Sequence, residues 1–169
     1  RGGDFRLTLI GEGPEEKELK KLVKKLGRGD EVLFAGKALN QEIKNYCRAS
    51  DAFLFTSLSE TQGIVLLESM AAGTPVIAVK ATGVRDVVVN GKNGYMTEAS
   101  ETEFAEKIMD VLGKKELEIL SRGARQTAEE YRGSEIAKRA LAAYAEAILV
   151  RRMKEAQKRG RRNRDVVYL

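Results

Sequence analysis

Ser59–Ala78 reads SETQGIVLLESMAAGTPVIA. Its apolar residues Ile64, Val65, Leu66, Leu67, Met70, Ala71 and Ala72 stop at Gly73, and Thr74-Pro75 leads into a second apolar run, Val76–Val79. Glycine commonly follows the last residue of a helix, and a short β-branched run after a proline suits a strand. The stretch therefore predicts a helix over residues 62–72 and a strand over residues 76–79. The helix is apolar in nearly every direction, which predicts burial, yet it keeps Glu68, with Glu60 just before it. A buried carboxylate without a partner costs several kcal/mol or becomes protonated. No Arg or Lys lies within a helical turn of Glu68. A ligand with two hydroxyl donors, such as a ribose, would satisfy it; so would a distant arginine. Glu60 precedes the amides of Gly63, Ile64 and Val65, which form an anion site at the helix start, unless Glu60 simply caps the helix.

The same alternation extends outward on both sides. A short apolar strand over residues 5–10 ends at Gly11-Glu12-Gly13-Pro14, and Leu19, Leu22, Val23 and Leu26 then recur at helical spacing up to Gly27. Pro14 suits the first turn of this helix, with Glu15, Glu16 and Glu18 near its positive end and Lys24 and Lys25 near its negative end. A second strand over residues 32–34 closes on Ala35-Gly36-Lys37, and Asn40 is placed to cap a helix whose Ile43, Tyr46 and Cys47 share a face. A third strand spans residues 52–55. Downstream of the opening stretch, a short helix over residues 84–89 follows Thr82-Gly83. The turn Asn90-Gly91-Lys92-Asn93-Gly94 then precedes a strand near Tyr95. Ser100 and Glu103 form a capping-box pattern before Phe104, Ile108, Val111 and Leu112. Two helices, over residues 115–131 and 134–157, end the reading.

Strands alternating with helices and apolar on both faces predict an α/β domain, a doubly wound, Rossmann-like parallel sheet covered on both sides, with carboxyl-terminal helices. In such sheets ligands bind beyond the carboxyl ends of the strands. That selects four loops: Gly11 to Pro14, Gly36 to Leu39, Ser57 to Gly63 and Lys80 to Gly83. Their glycines either permit close approach to a ligand or simply make tight turns.

Composition removes several chemistries. The 169 residues suffice for one globular domain, and there is no His and a single Cys, Cys47. Serine-triad, zinc and disulfide-framework readings are disfavoured, and a reducing compartment is expected. The net charge of +5 is concentrated at the end of the chain. Residues 151–164 hold Arg151, Arg152, Lys154, Lys158, Arg159, Arg161, Arg162 and Arg164 against one Glu, leaving residues 1–150 near neutrality.

Glu60 and Glu68, followed by Ser69-Met70-Ala71-Ala72-Gly73-Thr74-Pro75-Val76-Ile77-Ala78, resemble the donor-site signature of retaining glycosyltransferases of the GT-B fold, family 4. The resemblance extends through Leu9-Ile10-Gly11-Glu12-Gly13-Pro14, Val32-Leu33-Phe34-Ala35-Gly36, Ala49-Ser50-Asp51-Ala52-Phe53, Gly83-Val84-Arg85-Asp86-Val87-Val88 and Asn90-Gly91-Lys92-Asn93-Gly94. It implies the carboxyl-terminal half of a GT-B enzyme that moves a hexose from a nucleotide sugar, most simply a UDP-hexose, with no cofactor or metal. Glu68 would hold the ribose hydroxyls and Glu60 the donor sugar as the catalytic carboxylate. Gln62, Gly63, Ile64 and Val65 would present amides to sugar and pyrophosphate, and Lys37, Ala38 and Leu39 would lie against the base. Gly11, Gly13, Thr82 and Gly83 would complete the donor site. The chain departs from the family at Thr82-Gly83 and Asp86, where Gly-Gly and a later Glu are usual. The family's upstream strand, its pyrophosphate-neutralising Arg/Lys pair and its acceptor domain would lie before Leu7.

These readings lead to a division into residues 1–150, a nucleotide-sugar-binding domain incomplete at its amino-terminal end, and residues 151–169, a basic extension or tail. The chain by itself is expected to be inactive. Ser59-Glu60-Thr61-Gln62-Gly63 resembles the version in diacylglycerol glucosyltransferases, which implies a lipid acceptor, with a glycan as the alternative. The basic tail is either a solvated helix end or a contact with an anionic membrane. Cytoplasmic, peripheral placement at the inner face of a membrane is the matching expectation. Nucleic acid is disfavoured, because Tyr168 is the lone aromatic near the basic run. A GT-B sugar-nucleotide epimerase and a catalytically silent binding module for nucleotide sugar or nucleic acid are the competing functions. A dinucleotide-dependent oxidoreductase is disfavoured by Glu16 and by Ala35-Gly36-Lys37, which stand where a third glycine and an acid would be needed.

Overall fold

The computed structural model describes residues 5–59, 61–112 and 116–162, with side chains as far as residue 157. Glu60, Lys115 at the expected start of a helix, Arg164 and Tyr168 lie outside the described residues. The elements run β1 (Leu7–Ile10), α1 (Glu16–Lys25), β2 (Val32–Gly36), α2 (Asn40–Arg48), β3 (Phe53–Phe55) and α3 (Ile64–Ala72). There follow β4 (Val76–Val79), α4 (Thr82–Val87), β5 (Gly94–Thr97), α5 (Glu101–Leu112), α6 (Leu117–Glu130) and α7 (Gly133–Arg162).

Among the described residues all strand pairing is parallel, in two sheets. β1 pairs with β2, from Leu7 opposite Val32 to Ile10 opposite Gly36, and β4 lies between β3 and β5 in the second sheet. Every residue of β4 is buried, as expected for a central parallel strand coated on both faces. Because side chains alternate, Val76 and Ala78 join Leu66, Met70, Val84, Val87, Val88 and Ala124 on one side, while Ile77 meets Val111 and Leu120 on the other. Coverage of both faces does not extend to the first sheet: no residue of α1 is buried, and Leu33 of β2 is 48% exposed.

Buried polar groups tie the loops to this core. The Asn93 amide donates to the Val87 carbonyl and to Thr127 Oγ1, both at 2.9 Å, while Asn93 Oδ1 accepts from the Val89 amide at 2.8 Å. Thr74 Oγ1 donates to the Cys47 carbonyl at 2.5 Å, and Ser69 Oγ donates to the Thr74 carbonyl at 3.1 Å, locking α2, α3 and β4 together.

Several boundaries move. α3 begins at Ile64 instead of residue 62, because Gly63 takes a left-handed conformation (φ 66°) and the two residues before it belong to the turn. α4 begins at Thr82, two residues earlier than expected, with Ala81 extended before it. The residue capping α2 is Leu39, not Asn40: its amide donates to Glu42 Oε2 at 2.7 Å. Ser100 accepts from the Glu103 amide at 3.3 Å, but Glu103 reaches the amide of Glu98 instead of closing the box. α7 extends to Arg162, beyond residue 157, as one helix of 30 residues. Its apolar stretch and the first part of the basic run therefore share one element.

Candidate functional site

The four loops at the carboxyl ends of the strands assemble as two pairs. The Gly11 amide donates to the Gly36 carbonyl at 2.8 Å, joining the first two. A Cβ at Gly63 would lie 2.8 Å from the Gly83 carbonyl oxygen, and a Cβ at Gly83 only 2.7 Å from the Gln62 nitrogen. These two glycines thus serve the approach of one loop to the other, whereas Gly11 and Gly13 face open space.

The α3 helix presents its other side to solvent. Leu66, Ser69 and Met70 are buried, whereas Ile64 (55% exposed), Val65 and Glu68 lie on the exposed face. The expectation that Glu68 is shielded from water is therefore wrong. Ringed by apolar neighbours in sequence, the helix buries one face against β4 and α6 and leaves the stripe bearing Glu68 uncovered, so its charge is stable without a buried partner.

Glu68 nevertheless has a defined setting. It lines a small cleft between α2 and α3 with Asn40, Ile43, Lys44 and Cys47. The buried thiol of Cys47 is pushed above its ordinary pKa of 9.0, first by burial and then by the negative charge of Glu68, while a hydrogen bond with Ser69 acts the other way. Among the described residues the Glu68 carboxylate has no ion-pair partner, so its oxygens remain open to donors from a ligand. The amides of Ile64 and Val65, in the first turn of α3, likewise donate to nothing among the described residues. A carboxylate and two amides at a helix N-terminus offer acceptors for hydroxyls and donors for an anion.

The other expected site residues distribute unevenly. Gln62 and Thr82 are exposed beside the buried Gly63 and Gly83, and Lys37 is exposed next to the half-buried Ala38. Leu39, 73% exposed, leaves an uncovered apolar surface at the start of α2. Glu60 falls outside the described residues. Lys44 and Asn40 line the Glu68 cleft. Asn40 reads from sequence only as a helix cap and Lys44 is not singled out; the i, i+4 spacing of the two was the available signal, and the packing of α2 on α3 gave it meaning. Among the described residues there is no group of three His, Cys, Asp or Glu side chains placed to hold a metal, and no helix is long and apolar enough to cross a membrane.

Comparisons with known proteins converge on one family. The chain is 35% identical over 136 residues to N-acetyl-alpha-D-glucosaminyl L-malate synthase of Bacillus anthracis, and 32% identical over 133 residues to sulfoquinovosyl transferase SQD2 of Arabidopsis thaliana. These alignments cover 79% and 76% of the chain but 35% and 25% of the relatives, so the chain spans about a third or less of their length. Alpha-monoglucosyldiacylglycerol synthase of Streptococcus pneumoniae is 44% identical over 73 residues, 43% of this chain and 17% of that protein. In three dimensions the chain is similar to Anabaena Alr3699/HepE in complex with UDP and glucose, with a TM-score of 0.71 and 25% identity over 84% of this chain and 40% of that one. Sucrose-phosphate synthase from Thermosynechococcus elongatus shares the fold, with a TM-score of 0.69 over 86% of this chain and 39% of that one. These structural neighbours are GT-B glycosyltransferases, and an α/β domain with parallel sheets and carboxyl-terminal helices is the architecture in common. Residues 1–128 match the family model described as glycosyl transferases group 1, and the chain belongs to that family.

Proposed function

We propose that the chain is the donor-binding part of a retaining, family 4 glycosyltransferase that moves a hexose from UDP-hexose to a lipid or glycan acceptor. The observation that carries this reading is the face of α3, where the carboxylate of Glu68 lies one helical turn from the amides of Ile64 and Val65, none of them engaged by another described residue. Glu68 takes the ribose hydroxyls. The α3 amides take the pyrophosphate, stabilising charge on the departing nucleotide as the sugar leaves. Glu60 contacts the sugar, Gly11 and Gly13 give the donor close access, and Lys37 to Leu39 lie against the base. Gln62, Thr82, and the Gly63–Gly83 contact that holds their loops together complete the pocket. In this reading fixed amides and cations carry the leaving-group charge, since the sequence has no His and one Cys, and neither metal nor cofactor is used. The acceptor is held by a further domain, without which the chain is inactive. The name of the pneumococcal relative, a synthase of a glucosylated diacylglycerol, supports a lipid acceptor.

Isothermal titration with UDP and UDP-glucose tests the donor assignment. Glu68→Ala should weaken binding by about 1–3 kcal/mol, the range for a lost hydrogen bond to a charged group. Because Glu68 is exposed, the melting temperature should hardly change. Unchanged affinity would remove Glu68 from the donor site.

A cytoplasmic, peripheral position follows from the same reading, with the basic run of α7 and the residues beyond it against an anionic leaflet. Each basic residue near such a surface contributes about 1 kcal/mol, screened by salt. Cosedimentation with anionic vesicles should therefore fall sharply on removal of residues 151–169 and with added salt. Equal binding by both forms would exclude the tail as an anchor.

A further inference from the structure

A second cleft, of about 490 Å³, opens at the opposite end of the sheet, before β3 and β4. Its lining brings together Arg48 at the end of α2, Asp51 ahead of β3, and Glu118, Arg122 and Arg125 from one face of α6. Residues 118, 122 and 125 recur at i, i+4 and i+7, so the helix directs all three the same way. The Arg125 guanidinium occupies the space above Gly73: a Cβ there would lie 2.3 Å from its Nη2. Gly73 is left-handed (φ 89°) at the end of α3, so its missing side chain both closes that helix and admits the arginine.

What distinguishes this cleft is the state of its charges. Five ionised side chains line it, and among the described residues none of them forms an ion pair or a hydrogen bond. The neighbouring hydroxyls are already engaged: Ser50 Oγ donates to the Tyr46 carbonyl and Ser121 Oγ to the Gly73 carbonyl, each at 2.7 Å. Elsewhere on the surface acids and bases of the same kind do pair, as Arg28 does with Glu31 at 2.7 Å. Three guanidiniums and two carboxylates are thus held around one opening without neutralising each other. Guanidiniums present forked donors matched to phosphate oxygens, whereas ionised carboxylates accept from hydroxyls. The volume lies within the range of small-molecule sites and is larger than a bare phosphate needs.

We propose that this cleft is a second binding site, for a phosphorylated polyol or sugar, separate from the donor site. Arg48, Arg122 and Arg125 take the phosphate, and Asp51 and Glu118 take hydroxyls of the body that carries it. α3 links the two places, with Gly63 at the donor end and Gly73 at the arginine end.

The test is calorimetric titration of the full chain with inorganic phosphate, glycerol phosphate and a hexose phosphate at low ionic strength. One saturable site is expected, with the phosphomonoesters binding more tightly than inorganic phosphate. Arg48→Ala combined with Arg122→Ala should weaken that binding at least about tenfold, the equivalent of one lost charged hydrogen bond, and leave UDP affinity unchanged. Lys24→Ala with Lys25→Ala, exposed on α1, matches the charge removed and should have little effect. Absence of saturable binding, equal weakening by the two pairs, tightest binding of inorganic phosphate, or displacement of the phosphomonoester by UDP would each overturn the proposal. Loss of UDP binding in Glu68→Ala alone tests the donor site and leaves this one untouched.

Discussion

The two sheets of this chain are built from the same unit and packed very differently. Around β4, strand and helix close on each other: Leu66 and Met70 from α3, Val84 from α4 and Ala124 from α6 are all fully buried. Around β1 and β2, Leu19 and Leu22 of α1 and Leu26 just after it recur at helical spacing but stay exposed. The pattern that builds a helix is therefore distinct from the packing that stabilises it. On α1, beside the first sheet, the residues facing solvent include ion pairs such as Lys20–Glu16 and Lys21–Glu18, which contribute little. In the second, apolar area removed from water dominates.

Truncating one leucine on each side gives the largest contrast. Leu66→Ala should destabilise the fold by about 2–5 kcal/mol, since it empties space inside a closed core. Leu22→Ala, at a position 50% exposed, should cost less than about 1 kcal/mol, because little buried surface is lost and alanine favours the helix. Urea unfolding of both variants measures the difference. Similar losses would mean that the first sheet is covered in solution.

Glycines repeat the contrast at smaller scale. A Cβ at Gly94 would lie 2.0 Å from the Val76 carbonyl oxygen, so Gly94→Ala must push β5 away from β4, at a cost of about 1–3 kcal/mol. At Gly29, in the turn before β2, nothing lies within 4 Å, and Gly29→Ala should stay within about 0.5 kcal/mol of the parent. Thermal unfolding separates the two, and a neutral Gly94→Ala would contradict the tight β4–β5 approach.

The smallest effect concerns pH at the seam between α2 and α3. Burial, with the Glu68 charge behind it, raises the Cys47 pKa above 9.0 in the folded state, so the folded chain holds this proton more tightly than the unfolded one. The contribution of this thiol to stability is therefore fully present below pH 9.0 and is lost as pH rises beyond it, where the unfolded thiol ionises first. Cys47→Ala should flatten that part of the stability curve, and Glu68→Gln should lessen its slope. An identical slope in parent and Cys47→Ala would refute the assignment.

Much of the architecture was written in local signals. β4 falls at Val76–Val79 as expected, because a short β-branched run between Thr74-Pro75 and Lys80 leaves little choice. Gly27 and Gly73 follow their helices in left-handed conformations, the role that only a residue without Cβ fills easily. The loops that form the candidate site were legible for the same reason: each lies where an apolar strand gives way to glycine or polar residues.

Sequence alone determined the order of strands and helices, the parallel pairing implied by their alternation, and the family signature from Glu60 to Ala78. It could not decide which side of α3 is buried. With Ile64, Val65, Leu66 and Leu67 in succession, no face is marked as polar, and the choice fell to contacts with β4, α4 and α6, which cover Leu66 and Met70 and leave Ile64 and Glu68 in water. Nor could it foresee that Gly63 and Gly83 would meet each other, or that Lys44 would share a cleft with Glu68. Periodicity reports neighbours along the chain; contacts between residues far apart in sequence depend on how whole elements stack, and that is settled when the core closes.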